Sequence, residues 1–347
     1  MSQRFAAVLI GAALACAATA VVGPARADDA VANFYKGKQI RMVIGLGAGE
    51  AYDVYARLLA RHYPKHIPGN PVIVPQNQPG AGSLNAINSL YNTAARDGTV
   101  IGTGHRFVPM MPLLDLEGTK FDPLKFTYIG SMNREIGICI AMKEAGVHTV
   151  EDMKAREFVV GTTGAGAELT NFNATLRTML GLKLKVIVGY RTSLDINAAM
   201  ERGELQGRCG VSYGSLKTTR PQWVANKEVD ILIQLGLTKE KELSDVPLLG
   251  DLVSDPSDRQ ALELMLAPSE MGRPFMAPPD IPQDRAAALR AGFDASMKDP
   301  GLIEEAGKLK LDLAPLSGVE MEALVARLYK ASPAVVERAR ALVRSTE

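Results

Sequence analysis

Short apolar runs alternate with amphipathic stretches along most of the chain. Arg41-Met42-Val43-Ile44 is apolar and partly β-branched, which predicts a strand covered on both faces. Gly45, Gly47 and Gly49 end it, and from Asp53 onward Val54, Leu58 and His62 fall at helical spacing. Pro71-Val72-Ile73-Val74 reads as a second strand, followed by a turn at Pro79–Ser83 and a helix through Ala95. Asp97-Gly98 turns into a third strand, Thr99-Val100-Ile101-Gly102. This order implies a parallel sheet with helices on its faces. Phe107–Pro123 reads as loop with a short helix, and a second α/β series begins near Tyr128. Its strands are predicted at Ile136–Met142, Phe158–Gly161, Lys185–Val188, Leu205–Val211 and Val229–Leu235, and its helices at Val150–Ala155, Glu168–Met179 and Ser193–Arg202. The proline-punctuated stretch Val246–Gln283 reads as a return crossing. Two helices close the chain, Arg285–Met297 and Gly318–Val343, the second bent or broken at Pro333.

Two such series predict an α/β protein of two lobes around a cleft, with a hinge between them. The expected division is 28–130 for the first part of lobe 1, 131–250 for lobe 2, and 251–347 for the return and the rest of lobe 1. Three glycine turns stand at strand ends: Gly45–Gly49, Gly80-Ala81-Gly82-Ser83 and Gly161-Thr162-Thr163-Gly164-Ala165-Gly166. A strand feeding a helix through such a turn leaves backbone N–H groups free at the helix start, which suits an anion. The three turns are expected to face one ligand.

The first residues change the picture of the chain's surroundings. Arg4, the apolar run Phe5–Val22 and the small-x-small site Ala25-Arg26-Ala27 form a signal peptide, residues 1–27, with cleavage expected after Ala27 and export to the periplasm. Cys16 as a lipidation site is the lesser alternative, because apolar sequence continues past it to Val22. Cleavage removes Arg4 and Arg26, so Lys+Arg falls from 39 to 37 against 38 Asp+Glu and the charge becomes −1. A near-neutral surface gives no reason to propose nucleic acid or an anionic membrane as partner. Cys139 and Cys209 then remain, in strand-like runs; an oxidising compartment permits a disulfide, and buried small residues are the plainer reading.

Several familiar chemistries are excluded. Gly45-x-Gly47-x-Gly49 has the wrong spacing for a dinucleotide fingerprint, and Pro75-Gln76-Asn77 follows Val74 where an acid is needed. No phosphate-binding loop with Lys, no nucleophile elbow and no acid/base pair is evident, so no catalytic residue, metal ligand or cofactor is assigned. His62 and His66 are four apart, but Pro64 lies between them and no third ligand appears, so they read as solvated helix-end residues. His105, after the third strand, is a candidate lining residue. Asp53 is expected both to cap its helix and to orient the first turn, whereas Glu168 reads as a simple first-turn acid. Arg191, at a strand end, suits bidentate carboxylate recognition, with Tyr190 beside it.

These segments together resemble the extracytoplasmic solute-binding proteins of tripartite tricarboxylate transporters, the TctC or Bug family. The resemblance is carried by Gly47-Ala48-Gly49-Glu50-Ala51-Tyr52-Asp53, Asn77-Gln78-Pro79-Gly80-Ala81-Gly82-Ser83, Arg96-Asp97-Gly98-Thr99, Val160–Ala167, Tyr190-Arg191-Thr192, Asp245-Val246-Pro247 and Ala277–Pro282, in that order. It implies a periplasmic binding protein of the Venus-flytrap, type II-like kind, acting as a monomer without enzymatic activity. It also implies a small organic acid held largely by backbone N–H groups and waters of the first two turns, and delivery to large and small permease subunits. A role in sensing, and less so a periplasmic enzyme on the same scaffold, are the alternatives. The implied ligand-binding set is Gly47, Ala48, Gly49, Glu50, Tyr52, Asp53, Gly80, Ala81, Gly82, Ser83, His105, Thr162, Thr163, Gly164, Ala165, Gly166, Tyr190 and Arg191.

The departures from the family pattern sit in the first turn. Glu50 and Ala51 replace glycines, and Tyr52 replaces a small hydroxyl residue. An ionised Glu50 in the cleft would repel a carboxylate, so it either meets a cationic or hydroxyl group of the ligand or points out to solvent. Tyr52 is expected to stack on a bulky solute. Thr170 stands where the family often has His.

Overall fold

The computed structural model describes residues 25–164 and 168–344. The leader up to Val22, Cys16, and the site candidates Ala165 and Gly166 lie outside the described residues. Helix α1 (Ala25–Tyr35) leads into β1 (Gln39–Ile44), α2 (Ala51–His62), β2 (Val72–Asn77), α3 (Leu84–Asn92), β3 (Val100–Thr103), the short α4 (Met110–Leu113) and β4 (Thr127–Ser131). The chain then crosses to β5 (Gly137–Met142), α5 (Val150–Ala155), β6 (Phe158–Thr162), α6 (Glu168–Leu180), β7 (Leu184–Val188), α7 (Ser193–Glu201), β8 (Gly207–Ser212), α8 (Tyr213–Thr219), α9 (Pro221–Ala225) and β9 (Val229–Leu235). It returns through α10 (Leu249–Leu252), α11 (Pro256–Leu266) and β10 (Pro274–Ala277), and ends in α12 (Gln283–Ser296), α13 (Pro300–Lys308), β11 (Leu316–Ser317), α14 (Gly318–Leu328) and α15 (Pro333–Arg344).

Among the described residues there are two sheets, one per lobe. The first runs β11-β4-β10-β3-β1-β2 and the second β7-β6-β8-β5-β9. β1, β2 and β3 are parallel, as the alternating pattern requires, and so are β6, β7 and β8. Each sheet is nevertheless mixed. β10 inserts antiparallel between β3 and β4, and β5 runs antiparallel to β8 and β9. β4, which the sequence pattern does not single out at the point where its second series begins, belongs to the first sheet.

Strand alternation divides the cores. On β1, Val43 faces one cluster with α3, α14 and α15, while Ile40, Met42 and Ile44 face another with α2 and α12. On β5, Cys139 and Ala141 face one side and Ile138 and Ile140 the other. Cys139 and Cys209 are cross-strand neighbours on β5 and β8, both fully buried and joined to each other, with Cα atoms 3.9 Å apart.

The stretch Val246–Gln283 is more structured than its prolines suggest, because α11 and β10 lie within it. Pro256 takes the first helical position of α11, where an N–H would go unused, and Asp255 caps the helix through Asp258 N–H. The same Asp-Pro device at Asp299-Pro300 starts α13, which the apolar pattern alone does not reveal. Pro333 does break the C-terminal helix, into α14 and α15.

The outgoing and returning crossings are paired with each other. Glu135 N–H donates to Ser269 O (2.9 Å), Gly272 N–H to Asn133 O (2.8 Å) and Met132 N–H to Arg273 O (3.2 Å). This ribbon is the hinge between the lobes.

Candidate functional site

The carboxyl ends of β1 and β3 and the start of α3 face the starts of α6 and α7 across a cavity of about 400 Å³. Lobe 1 lines it with Gly45, Leu46, Glu50, Pro79–Ser83 and His105, and lobe 2 with Thr163, Glu168, Leu169 and Gly189–Ser193. The lobes nearly meet at Gly164, where an added Cβ would lie 3.9 Å from Ala81 Cα.

The Gly80–Ser83 turn has an unusual backbone. Four successive residues have positive φ: 140° at Gly80, 46° at Ala81, 62° at Gly82 and 80° at Ser83. Ala81 and Ser83 carry a side chain in this region at a steric cost, and such runs persist only where the surroundings impose them. One support is Ser83 Oγ, which accepts His105 N–H at 3.0 Å. Among the described residues no hydrogen bond engages the N–H of Ala81 or Gly82.

The first turn is arranged differently. Glu50 holds the cap position of α2 but makes no side-chain bond to its own helix. Its Oε1 accepts Gly47 N–H at 2.6 Å, and its Oε2 accepts Ser193 N–H at 3.2 Å from the start of α7 in the other lobe. Glu50 is buried and lines the cavity, so of the two expected orientations the solvent-facing one is excluded, and its bond to Ser193 also ties the lobes together. Burial raises its pKa, against the bonds from Gly47 and Ser193 and the field of Arg208. Gly47 is confined here, since an added Cβ would meet Glu50 Oε1 at 2.8 Å and Thr192 Cγ2 at 2.9 Å.

Asp53 is a clamp rather than a cap. It lies in the first turn of α2, accepts Gly49 N–H (2.9 Å) on Oδ2, and holds Arg57 Nε (2.8 Å) and Asn77 Nδ2 (2.9 Å) on Oδ1. Burial raises its pKa, but those three donors outweigh it and keep the carboxyl below its usual value. It holds Gly49 of the turn and does not line the cavity. Ala48 and Gly49 are exposed outside the cavity. Tyr52 lies in the floor: its hydroxyl accepts Arg106 N–H at 3.1 Å, and Arg273 sits 4.4 Å over its ring. It is therefore placed beneath the cavity instead of stacking inside it.

At the cavity floor the structure joins Glu168 and His105 to buried charges without a functional assignment in the sequence: Arg106, Glu135, Arg208 and Arg273. Glu168 is no simple first-turn acid. It pairs with Arg106 Nε at 3.0 Å across the lobes, and its other oxygen lies 2.7 Å from His105 Nδ1, poorly aligned for a hydrogen bond. Burial pulls the His105 pKa down to about 4 despite Glu168, so the ring is neutral at neutral pH. Glu135, in the hinge, accepts Arg273 Nη2 (2.8 Å) and Gly214 N–H (2.7 Å). Arg208, on β8, braces the start of α7 through Ser193 O (3.2 Å) and Asn197 Oδ1 (2.7 Å), while its Nε has no partner among the described residues. Burial lowers its pKa to about 10, so it stays charged. One signal was available for it, an Arg in the middle of an otherwise apolar strand.

The remaining candidates divide. Gly80, Ala81, Gly82, Ser83, His105, Thr163, Tyr190 and Arg191 line the cavity, Arg191 at an exposed rim. Thr162 is buried behind it, with its hydroxyl 2.7 Å from Thr170 Oγ1, and Thr170 Oγ1 donates to Gly164 O. His62 and His66 are far from the site and are not merely solvated. Their Nε2 atoms meet Glu305 and Asp299 of the α13 region, each at 2.7 Å.

No family model matches the chain, and no curated protein matches it in sequence. Solved structures do. The periplasmic binding protein BugD aligns with a TM-score of 0.71 at 19% identity, over 89% of this chain and 98% of its own. MatC from Rhodopseudomonas palustris with bound malate aligns with a TM-score of 0.68 at 16% identity, over 88% and 99%. A TctC solute binding protein from Polaromonas, without ligand, gives 0.60 at 18% identity, over 89% and 99%. The chain thus has the two-lobe fold of these periplasmic binding proteins.

Proposed function

We propose that this chain is a periplasmic solute-binding protein that captures a small organic acid between its lobes without transforming it. It hands the solute to the membrane permease subunits of a tripartite tricarboxylate-type transporter. The observation that carries the reading is the Gly80–Ser83 turn, four residues of positive φ whose Ala81 and Gly82 N–H groups have no partner among the described residues, at the wall of the interlobe cavity. Backbone donors at a helix start, with Arg191 at the rim, suit one carboxylate. The malate held by the structural neighbour MatC supports the same class of solute.

The ligand set is then Gly80–Ser83, His105, Thr163, Tyr190 and Arg191, with Glu50 at the other jaw. Export with cleavage after Ala27 places the protein where such a solute is met. Isothermal titration of the exported protein against a panel of carboxylates, amines and sugars tests the reading, since a ligand that binds the folded state also raises the melting temperature. Binding of at least one organic acid is expected. A response to amines or sugars alone would overturn it. Loss of solute uptake on deletion of the permease subunits tests delivery, and the N-terminal sequence of the exported protein tests the cleavage.

A further inference from the structure

Glu50 has a place in the cleft that the carboxylate reading does not itself require. Its carboxylate is a third party between two helix starts, taking Gly47 N–H before α2 at 2.6 Å and Ser193 N–H in the first turn of α7 at 3.2 Å. These are N–H groups of the kind an anionic ligand would seek at a helix start. Ser193 is held in place from below by Arg208, which bonds its O at 3.2 Å and its Oγ at 3.3 Å. Arg208 and Glu50 also share the walls of a small cavity of about 30 Å³ under the main one, with Tyr52, His105, Ser212 and Ser215. Among the described residues the guanidinium has no ion-pair partner, and Glu50 is the acid whose field reaches it. The anionic charge on this side of the cleft is therefore supplied by the chain.

The two jaws differ accordingly. At Gly80–Ser83 the Ala81 and Gly82 N–H groups are unspent among the described residues, while at Gly47 and Ser193 they are spent on Glu50. Glu50 has two backbone donors, one on each oxygen, with the Ser193 hydroxyl also against it, and a carboxylate accepts about four hydrogen bonds. Its remaining lone pairs, on a side chain that lines the main cavity, call for a donor and repel an anion.

Resting on the carboxylate reading of the site, we propose that Glu50 is a resident carboxylate that replaces one ligand carboxylate. The cleft then selects a solute with one carboxylate, held at the Gly80–Ser83 turn, and a neutral or cationic hydrogen-bond donor at the other end, held by Glu50. A plain dicarboxylate is rejected because its second charge meets Glu50 at spent N–H groups.

Matched solutes separate these possibilities. The exported protein is titrated calorimetrically with straight-chain diacids of three to six carbons and with their half-amides, in which one carboxylate becomes a neutral amide donor. The wild type is expected to bind the best half-amide at least about tenfold more tightly than its diacid. Glu50→Gln and Glu50→Gly are expected to abolish or reverse that ratio, with melting curves showing that both variants are folded. A wild type that binds the diacid as tightly as its half-amide overturns the proposal and leaves the carboxylate reading standing. So does a preference for half-amides that survives in both variants. If neither series binds while amines or sugars do, the carboxylate reading fails and the proposal falls with it.

Discussion

The two jaws of lobe 1 start from the same sequence device and end in opposite states. Both are glycine turns between a parallel strand and a helix, and both leave N–H groups at the helix start. At the turn before α2 the chain satisfies those groups itself, with Glu50 on Gly47 and Asp53 on Gly49. At the turn before α3 it leaves the N–H groups of Ala81 and Gly82 unspent and accepts four successive positive φ angles. A glycine turn thus keeps backbone donors for a ligand only where nearby acids have not already taken them. The count of free N–H groups, more than the glycine pattern, tells where a ligand's charge belongs.

The comparison presumes that the jaws are held facing lobe 2, and the Arg106–Glu168 pair is part of what holds them. Both side chains are almost wholly buried, on opposite lobes, at 3.0 Å. Glu168→Gln leaves the Arg106 guanidinium uncompensated and is expected to cost about 3–5 kcal/mol of stability. Denaturant unfolding measures it. A loss below about 1 kcal/mol would show that the jaws are positioned by the hinge alone.

Next in size is a substitution that makes the open turn like the closed one. Ala81→Asp brings a carboxylate to the unspent N–H groups, as Glu50 and Asp53 do in the first turn. Organic-acid affinity is expected to fall at least about a hundredfold, or roughly 2.7 kcal/mol. Unchanged affinity by calorimetry would move the ligand's charge away from this turn.

Asp53→Asn probes the closed turn and is expected to do less. It removes the charge that holds Arg57 and the acceptor for Gly49 N–H, at a cost of about 1–2 kcal/mol. Affinity should change less than about threefold, because Asp53 does not line the cavity. A tenfold loss would show that the first turn's orientation reaches the ligand after all.

How much of this was legible follows from the physics of each piece. The strand–turn–helix at β1 and α2 is readable because a doubly buried strand must be apolar and its exit needs glycine. α11, β10 and α13 are missed for a common reason: Pro256, Pro274 and Pro300 look like interruptions, yet they stand at element starts, where a missing N–H is harmless. The charge layer of Arg106, Glu135, Glu168, Arg208 and Arg273 is hidden more deeply. Each has its meaning only from a partner distant in sequence, such as Glu135 with Arg273 across the hinge. Even so, Arg208 amid the apolar residues of β8 carried a hint that a lone surface charge would not.

His105 offers the smallest effect and the finest discrimination, because it touches the open turn through Ser83 and the buried charges through Glu168. Burial holds its pKa near 4, below the ordinary 6.5. Between those values the unfolded chain binds a proton that the folded one refuses, so stability rises with pH across this window and is lost as pH falls through it. The loss should be negligible at pH 7 and reach about 1 kcal/mol between pH 6.5 and 5.5. His105→Gln, which cannot titrate, should flatten this part of the stability profile. If the profile is unchanged in the variant, another group refuses the proton. If the His105 ring instead titrates near 6.5 in the folded protein by NMR, the floor of the cleft admits water and the charges beneath the turns are not desolvated.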